Sequence, residues 1–475
     1  MVKKLFLISF ILISPSILYA QFKKGPYIQE LSTNSVRILW ETNSSSKGRV
    51  IYGIKGSMDK SKEETTSQTL HNIYLDGLLA DTEYEYQVEG DSKKGNFRTF
   101  PISAKPIKFI VYGDNRTNMA DHQKVVDAII KEQPMFIINT GDLVESGISA
   151  DDYQKFFEIE RELLRNICIF PAIGNHEIID PTLTIYKKYF FPPQNNSGKK
   201  EWYSFDFANV HIAVYNTYDG LFTFSNEQLK WIESDLKAAS ANSEIDHIFT
   251  VMHHGPYSAS NHGDNATAKS KVVPLLKKYG VDMTLAGHDH NYERGEADGL
   301  RYIVAGGGGA PLYSAGQSQY TIYSESVLHY VVFNVYGPDV SGCAYRVDGS
   351  VMDCFNWTKG KLLPDAGYED ISSDDIINQD TNEVYDSNSS DTQSDVFFVD
   401  VGILEDSLPE DLLVSDSLSP IDGVLEVVAD SSTVLDVMDV GKDVNLMSDF
   451  QISVTDSERK SNGSESSGCG CLIIE

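Results

Sequence analysis

Apolar positions along the chain fall into four successive patterns. Residues 5–18 are a nearly unbroken apolar run behind Lys3 and Lys4, which stops at Tyr19-Ala20 before polar Gln21. Residues 22–101 then carry short stretches rich in β-branched and aromatic residues: Ser35 to Glu41, Arg49 to Tyr52, Asn72 to Leu75, Glu83 to Glu89 and Gly95 to Phe100. Polar, glycine-containing turns separate them, and that spacing predicts a small β-sandwich. From residue 107 the rhythm changes. Strand-like runs (Ile107 to Tyr112, Met135 to Thr140, Cys168 to Ile173, His247 to Met252, Val281 to Ala286) alternate with helical spacing at His122 to Lys131, Tyr153 to Leu164, Glu227 to Ala239 and Lys271 to Tyr279. This alternation predicts an α/β unit with a largely parallel sheet. Turn-rich strands follow from Arg301 to Phe355, and beyond Leu363 the pattern fades into Asp-, Ser- and Asn-rich sequence.

At 475 residues the chain is too long for one core, so it divides. The expected units are a secretory signal peptide over 1–20, a sandwich over 21–102, a catalytic unit over 105–358 and an acidic, partly disordered region over 359–475. The basic start, short apolar run and Ala20 fit an export signal cleaved after Ala20, leaving no transmembrane segment in the mature chain. Charge follows the same division. Residues 361–475 hold 27 acidic and 4 basic side chains, so they carry −23 of the net −30. An acidic chain is a poor binder of nucleic acid by phosphate neutralisation. The ending Gly468-Cys469-Gly470-Cys471 is a candidate sorting or modification signal, which leaves attachment to a cell surface through the tail open. Five cysteines are too few for a disulfide scaffold. Cys343 and Cys354 flank the hairpin signal Asp348-Gly349. Export permits a disulfide between them, but a two-residue turn makes them a hydrogen-bonded pair with side chains further apart, so both states stay open. Cys168 reads as core.

Chemistry concentrates where the strand-like runs end. Gly113-Asp114-Asn115-Arg116, Gly141-Asp142, Gly174-Asn175-His176-Glu177, His253-His254 and Gly287-His288-Asp289-His290 each follow such a run. Ligands of α/β sheets gather at the carboxyl ends of strands. Asp114 and Asp142 at neighbouring strand ends can hold two cations, with one carboxylate bridging. Asn175 offers an amide oxygen suited to a hard or borderline ion, and His176 beside it would face the reacting phosphorus. Consecutive residues do not easily face one ion, so one of His253 and His254 is expected as a ligand. His288 and His290, two apart, project the same way and can serve adjacent ions. Gly306 to Gly309 lacks the Lys-Ser/Thr of a nucleotide loop and reads as a close-packed turn. Trp231 reads as core.

Two resemblances extend this reading. Leu75-Asp76-Gly77-Leu78 with Thr82-Glu83-Tyr84-Glu85-Tyr86 resembles a fibronectin type III module. The five motifs, in this order, resemble the calcineurin-like metallophosphoesterase superfamily, and the preceding module with Gly287 to Arg294 is similar to its purple acid phosphatase-like members. The resemblance covers roughly residues 22–355. It implies a four-layer α/β/β/α domain after a fibronectin type III-like sandwich, and a dinuclear centre. Asp114 and His290 would bind the first ion, Asn175, His253 and His288 the second, and Asp142 both. His253 is preferred to His254 because Tyr257 then keeps the family's offset. His176 and His262 match residues that contact the phosphoryl group and assist the leaving oxygen.

Two positions depart from the pattern. Glu145 stands where the purple enzymes have a tyrosine ligand, which implies a colourless protein with divalent Mn, Zn, Fe or Mg rather than ferric iron. Arg116 stands where many relatives have a histidine ligand. It can clamp a phosphate oxygen, and a plain salt bridge is the alternative. The expected function is an exported phosphomonoesterase acting on a phosphorylated small molecule, with a metal-shared hydroxide attacking phosphorus in line. A phosphodiesterase or nucleotidase is the alternative within the class, since the loops 178–200 and 255–270 wall the pocket. A cell-surface binding protein with incidental hydrolysis is the rival class.

Overall fold

The computed structural model describes residues 22–193, 197–220 and 223–359. The segment expected as an export signal and the acidic C-terminal region with Cys469 and Cys471 lie outside the described residues. Among the described residues no helix is long and apolar enough to cross a membrane.

The first seven strands are β1 (Phe22–Gln29), β2 (Val36–Ser46), β3 (Arg49–Ile54), β4 (Lys60–Glu63), β5 (Gln68–Leu75), β6 (Glu83–Val88) and β7 (Gly95–Arg98). They pair antiparallel as a three-stranded sheet, β1-β2-β5, and a four-stranded sheet, β4-β3-β6-β7. Alternation in β6 buries Tyr84, Tyr86 and Val88 between the sheets with Trp40, Ile38 and Phe97. β1 and β4 were not expected from the sequence. β1 contains Lys23, Lys24 and Gly25-Pro26, with register shifts against β2, and β4 is wholly exposed. Lys24 is buried because its ammonium lies 2.6 Å from Glu41, whose carboxylate also accepts from Tyr189 at 3.0 Å. The Tyr27 ring lies tilted against that of Phe157 with centroids 4.7 Å apart, so this module packs on helices of the following unit.

The next strands are β8 (Ile107–Tyr112), β9 (Phe136–Asn139), β10 (Cys168–Pro171), β11 (Tyr203–Phe207), β12 (Val210–Tyr215), β13 (His247–Met252) and β14 (Met283–Ala286). They are followed by β15 (Tyr292–Ala297), β16 (Leu300–Ala305), β17 (Thr321–Glu325), β18 (His329–Tyr336), β19 (Asp339–Arg346) and β20 (Val351–Thr358). They form a six-stranded sheet, β10-β9-β8-β18-β19-β20, and a seven-stranded sheet, β11-β12-β13-β14-β16-β15-β17. Two sheets agree with the four-layer α/β/β/α arrangement that the resemblance implies, while the largely parallel sheet read from periodicity is corrected, since both sheets are mixed. β8, β9 and β10 are parallel to one another, as are β12, β13, β14 and β16, and antiparallel strands flank each set.

The sheets face each other through aromatic rings. Phe109 of the six-stranded sheet lies 4.9 Å from Phe333 beside it and 5.8 Å from Phe249 of the seven-stranded sheet. Helices cover the outer faces. Met119–Glu132 and Ala150–Ile159 bury Val125, Val126, Ile129, Phe156 and Phe157 against Ile110, Ile137 and Val332. Asn226–Ala241 buries Ile232 and Leu236 against Ala213, Ile248 and Val304. Side chains of Asn118, Ser149 and Ser225 cap these helices by accepting from free backbone N–H groups. The helix expected over 153–164 breaks at Glu160. That buried carboxylate bonds Tyr112 at 2.5 Å and His122 at 2.7 Å, so it turns inward where a continuous helix would not place it.

Cys343 and Cys354 form a disulfide. The hairpin closes between Arg346 and Ser350 rather than around a two-residue turn, and a bulge lies between Ala344 and Tyr345. Cys343 faces Cys354 as expected, but the bulge shifts the hydrogen-bonding phase and leaves their Cα atoms 4.2 Å apart, the close spacing of a non-hydrogen-bonded pair. The expected hydrogen-bonded phase of this pair is thus corrected. Cys168 is a buried free thiol, and Trp231 is partly buried with its ring 6.1 Å from Tyr215.

Candidate metal centre

Each motif begins where its strand stops, and the backbone turns sharply there. Asp114, Asp142 and His288 have positive φ (56°, 55° and 73°), a left-handed conformation that costs free energy in non-glycine residues and clusters at functional sites. His288 and His290 are therefore not an extended pair pointing one way. The turn sends them to different corners. The glycines before the donors have a steric reason. A Cβ on Gly174 would strike the Asp142 carboxylate, and one on Gly287 would strike that of Asp114.

Asp114, Asp142 and His253 converge in the buried interior, each at most 1% exposed. His253 Nε2 lies 3.4 Å from Asp142 Oδ1, 3.1 Å from Asn175 Oδ1 and 3.2 Å from His288 Nδ1. His290 Nε2 lies 3.6 Å from Asp114 Oδ1. His290 thus stands on the Asp114 side, while Asn175 and His288 gather round His253. His254 turns away to Gly263 O at 3.3 Å, so of the two consecutive histidines His253 faces the carboxylates.

The electrostatics of these groups suit a cation. His253 Nδ1 pairs with Thr140 O at 2.9 Å and His290 Nδ1 with Pro311 O at 2.7 Å. Those carbonyls fix the tautomers, so each Nε2 presents its lone pair inward. Burial pushes both imidazoles down to about 4, and burial with neighbouring histidines pushes His288 well below its ordinary value. Neutral rings keep their lone pairs at ordinary pH. Burial and the charge of Asp142 hold Asp114 well above the usual carboxylate range. Burial also works against the charge of Asp142, but His253, His176 and Arg116 outweigh it and hold Asp142 low. Acceptor atoms therefore face acceptor atoms at 3.1 to 3.4 Å, which is unfavourable until a positive ion stands between them. Mixed carboxylate, amide and imidazole donors fit borderline divalent ions.

The remaining expected residues surround this cluster. His176 bonds Glu145 O through Nδ1 at 2.6 Å, leaving Nε2 3.9 Å from Asp142 Oδ2. His262 Nδ1 lies 2.9 Å from Asp289 Oδ1, with its ring 4.0 Å from that of His288. Arg116 makes a salt bridge, Nε to Asp142 Oδ2 at 3.2 Å and Nη1 to Glu145 Oε2 at 3.0 Å. Gly306 to Gly309 pack beneath Asp114, and the Gly308 N–H donates to Gly113 O at 2.9 Å.

Two further residues escaped the sequence reading. Glu177 is fully buried and accepts from the N–H groups of Asp142, Leu143 and Gly174 at 3.0, 2.9 and 2.8 Å, tying two donor loops together. Its place within Gly174-Asn175-His176-Glu177 was the available signal. Tyr218 donates to Asn175 Oδ1 at 3.3 Å, and burial with Asp142 nearby raises its phenol well above the ordinary value, so it stays protonated. It follows β12, a strand absent from the sequence reading, and the apolar run Val210–Tyr215 was its signal.

Residues 107–292 match the family Calcineurin-like phosphoesterase. An uncharacterised protein of Mycobacterium tuberculosis is 29% identical over 299 residues, covering 54% of this chain and 56% of that protein. Probable purple acid phosphatase 20 of Arabidopsis thaliana is 29% identical over 299 residues, covering 58% and 69%. Human acid phosphatase type 7 is 28% identical over 254 residues, covering 47% and 56%. The chain thus spans little more than half the length of the mycobacterial and human relatives. Among solved structures, purple acid phosphatase PPD1 from yellow lupin (Lupinus luteus) seeds aligns with a TM-score of 0.60 at 17% identity, over 70% of this chain and 74% of that one. Residues 107–292 are a calcineurin-like phosphoesterase domain, in a chain whose relatives include purple acid phosphatases.

Proposed function

We propose that this protein is an exported, dinuclear metal-dependent phosphoesterase acting on phosphomonoesters. The observation that carries the reading is the inward crowding of acceptor oxygens around His253 Nε2, with Asp142 Oδ1 at 3.4 Å and Asn175 Oδ1 at 3.1 Å, beside His288 Nδ1 at 3.2 Å. Asp114 and His290 would hold one ion, Asn175, His253 and His288 the other, and Asp142 both. When bound, such a pair supplies Lewis acidity and an activated water at neutral pH.

The chain's own groups do the rest. His176 has Nδ1 committed to Glu145 O and presents Nε2 toward the cluster. His262, fixed by Asp289, stands on the His288 side. Both are placed to steady the phosphoryl group and to give a proton to the departing alkoxide oxygen. Arg116 adds positive charge beside Asp142. The disulfide Cys343–Cys354 supports export, since such bonds persist in oxidising compartments, as do Lys3, Lys4 and the apolar run behind them. The three-plus-four strand arrangement of β1 to β7 supports a fibronectin type III-like module ahead of the catalytic unit. Hydrolysis of an aryl phosphomonoester, abolished by a chelator and restored by Mn or Zn, is the expected result. A chelator-treated protein that hydrolyses the ester at full rate would refute the proposal.

A further inference from the structure

The two positions where the chain departs from the family pattern, 116 and 145, touch each other. Arg116 is largely buried, with 13% of its side chain exposed. Nε is taken by Asp142 Oδ2 at 3.2 Å, and Nη1 by Glu145 Oε2 and Thr117 Oγ1, both at 3.0 Å. Thr117, itself at φ 71°, also bonds the Glu145 carboxylate. Nη2 makes no hydrogen bond to any described residue. The Nε contact sets the guanidinium against Asp142, the carboxylate that would serve both ions. Arg116 also borders a cavity of about 160 Å³ with Thr117, Leu143, Glu145 and Phe156, which none of the six donor residues lines.

A guanidinium fixed on two of its edges is a rigid fork, and its free edge can only add a planar donor toward an anion. A terminal phosphate bound at a pair of cations has three peripheral oxygens. Two can face the ions, and the third carries charge with no partner there. In a diester that third oxygen is esterified, holds no charge and accepts poorly.

We propose that Arg116, tethered by Glu145, receives the third peripheral oxygen of a terminal phosphate and thereby makes the site select phosphomonoesters over diesters. This rests on the phosphoesterase reading above. Glu145 is the positioning residue. It holds the fork so that Nη2 does not have to be ordered when substrate arrives.

The test compares metal-loaded wild type with R116A, E145A and R116A/E145A. Calorimetry measures binding of inorganic phosphate and of dimethyl phosphate, and kinetics measure an aryl monoester and a bis-aryl diester. Loss of one charge-assisted hydrogen bond predicts a fall of about 10- to 100-fold in phosphate affinity for R116A, with a fall of less than about threefold for dimethyl phosphate. E145A should raise KM for the monoester by about tenfold while kcat changes little, as expected for lost positioning. The double variant should be no worse than R116A, because the tether has nothing left to hold. R116K keeps the charge without the fork and should behave like R116A, which guards against misfolding of the alanine variants. Equal losses for phosphate and dimethyl phosphate in R116A would overturn the proposal, as would losses that multiply in the double variant. A wild type that binds phosphate selectively yet cleaves no ester would sink the phosphoesterase reading and leave this inference standing.

Discussion

The two facing sheets of residues 107–358 end in different chemistry at one place. The six-stranded sheet ends in oxygen, with Asp114 after β8, Asp142 after β9 and Asn175 after β10. The seven-stranded sheet ends in nitrogen, with His253 after β13 and His288 and His290 after β14. Alone, the oxygen set is two buried carboxylates in mutual repulsion, and burial with the charge of Asp142 pushes the Asp114 carboxyl up. Alone, the nitrogen set is buried imidazoles that burial keeps neutral. Brought together, they supply charge from one side and lone pairs from the other. The centre is a property of the seam between the sheets.

Breaking the oxygen side should have the largest effect. Asp142→Asn removes the only carboxylate within 3.4 Å of His253 Nε2 among the described residues, and kcat/KM should fall about 10³-fold, with elemental analysis showing lost metal. Breaking the seam itself comes next. Phe109→Ala removes a ring that is 0% exposed and touches both sheets, so denaturant unfolding should show a loss of about 3–5 kcal/mol. Loosening the loops is milder. Glu177→Gln keeps the shape but weakens the acceptor that ties Asp142 to Gly174, and metal affinity by calorimetry should fall about 10- to 100-fold.

The smallest effect lies on the nitrogen-bearing sheet, away from the donors. Burial disfavours the charged form of His211, but hydrogen bonds to Asp206 at 2.6 Å and Asp235 at 3.0 Å outweigh it and lift the ring to about 9. A raised folded value stabilises fully below the ordinary pKa of about 6.5 and is lost as pH rises through about 9. Wild type should therefore lose about 1–3 kcal/mol of stability between these limits. His211→Gln should flatten that slope in thermal melts. An unchanged slope would show that His211 is not charged in the fold.

Much of this was legible in the chain. β8 and β13 were read residue for residue, because a dense apolar run stops abruptly at Gly113-Asp114 and at His253-His254. The candidate donors stood out in the sequence because each sits at such a stop. β4 was not, since Lys60–Glu63 faces solvent throughout and has no apolar position to alternate. The division into two sheets came from the resemblance and not from the patterning, because period-2 patterning marks strands without saying which strands pair. The left-handed turns at Asp114, Asp142 and His288 leave no periodic trace, so the resemblance could assign His288 and His290 to different ions, but that they do not project the same way had to come from the structure. The contact between Arg116 and Glu145 joins residues 29 apart on separate loops, and no local rule foresees it.

The most direct test is a count and a location. Protein reconstituted with excess Mn or Zn and freed of loose ions should carry two ions per chain. Anomalous scattering should then show two peaks about 3.5–4 Å apart, one beside Asp114 and His290, the other beside Asn175, His253 and His288, with Asp142 between them. A single ion, or peaks away from that seam, would contradict the account.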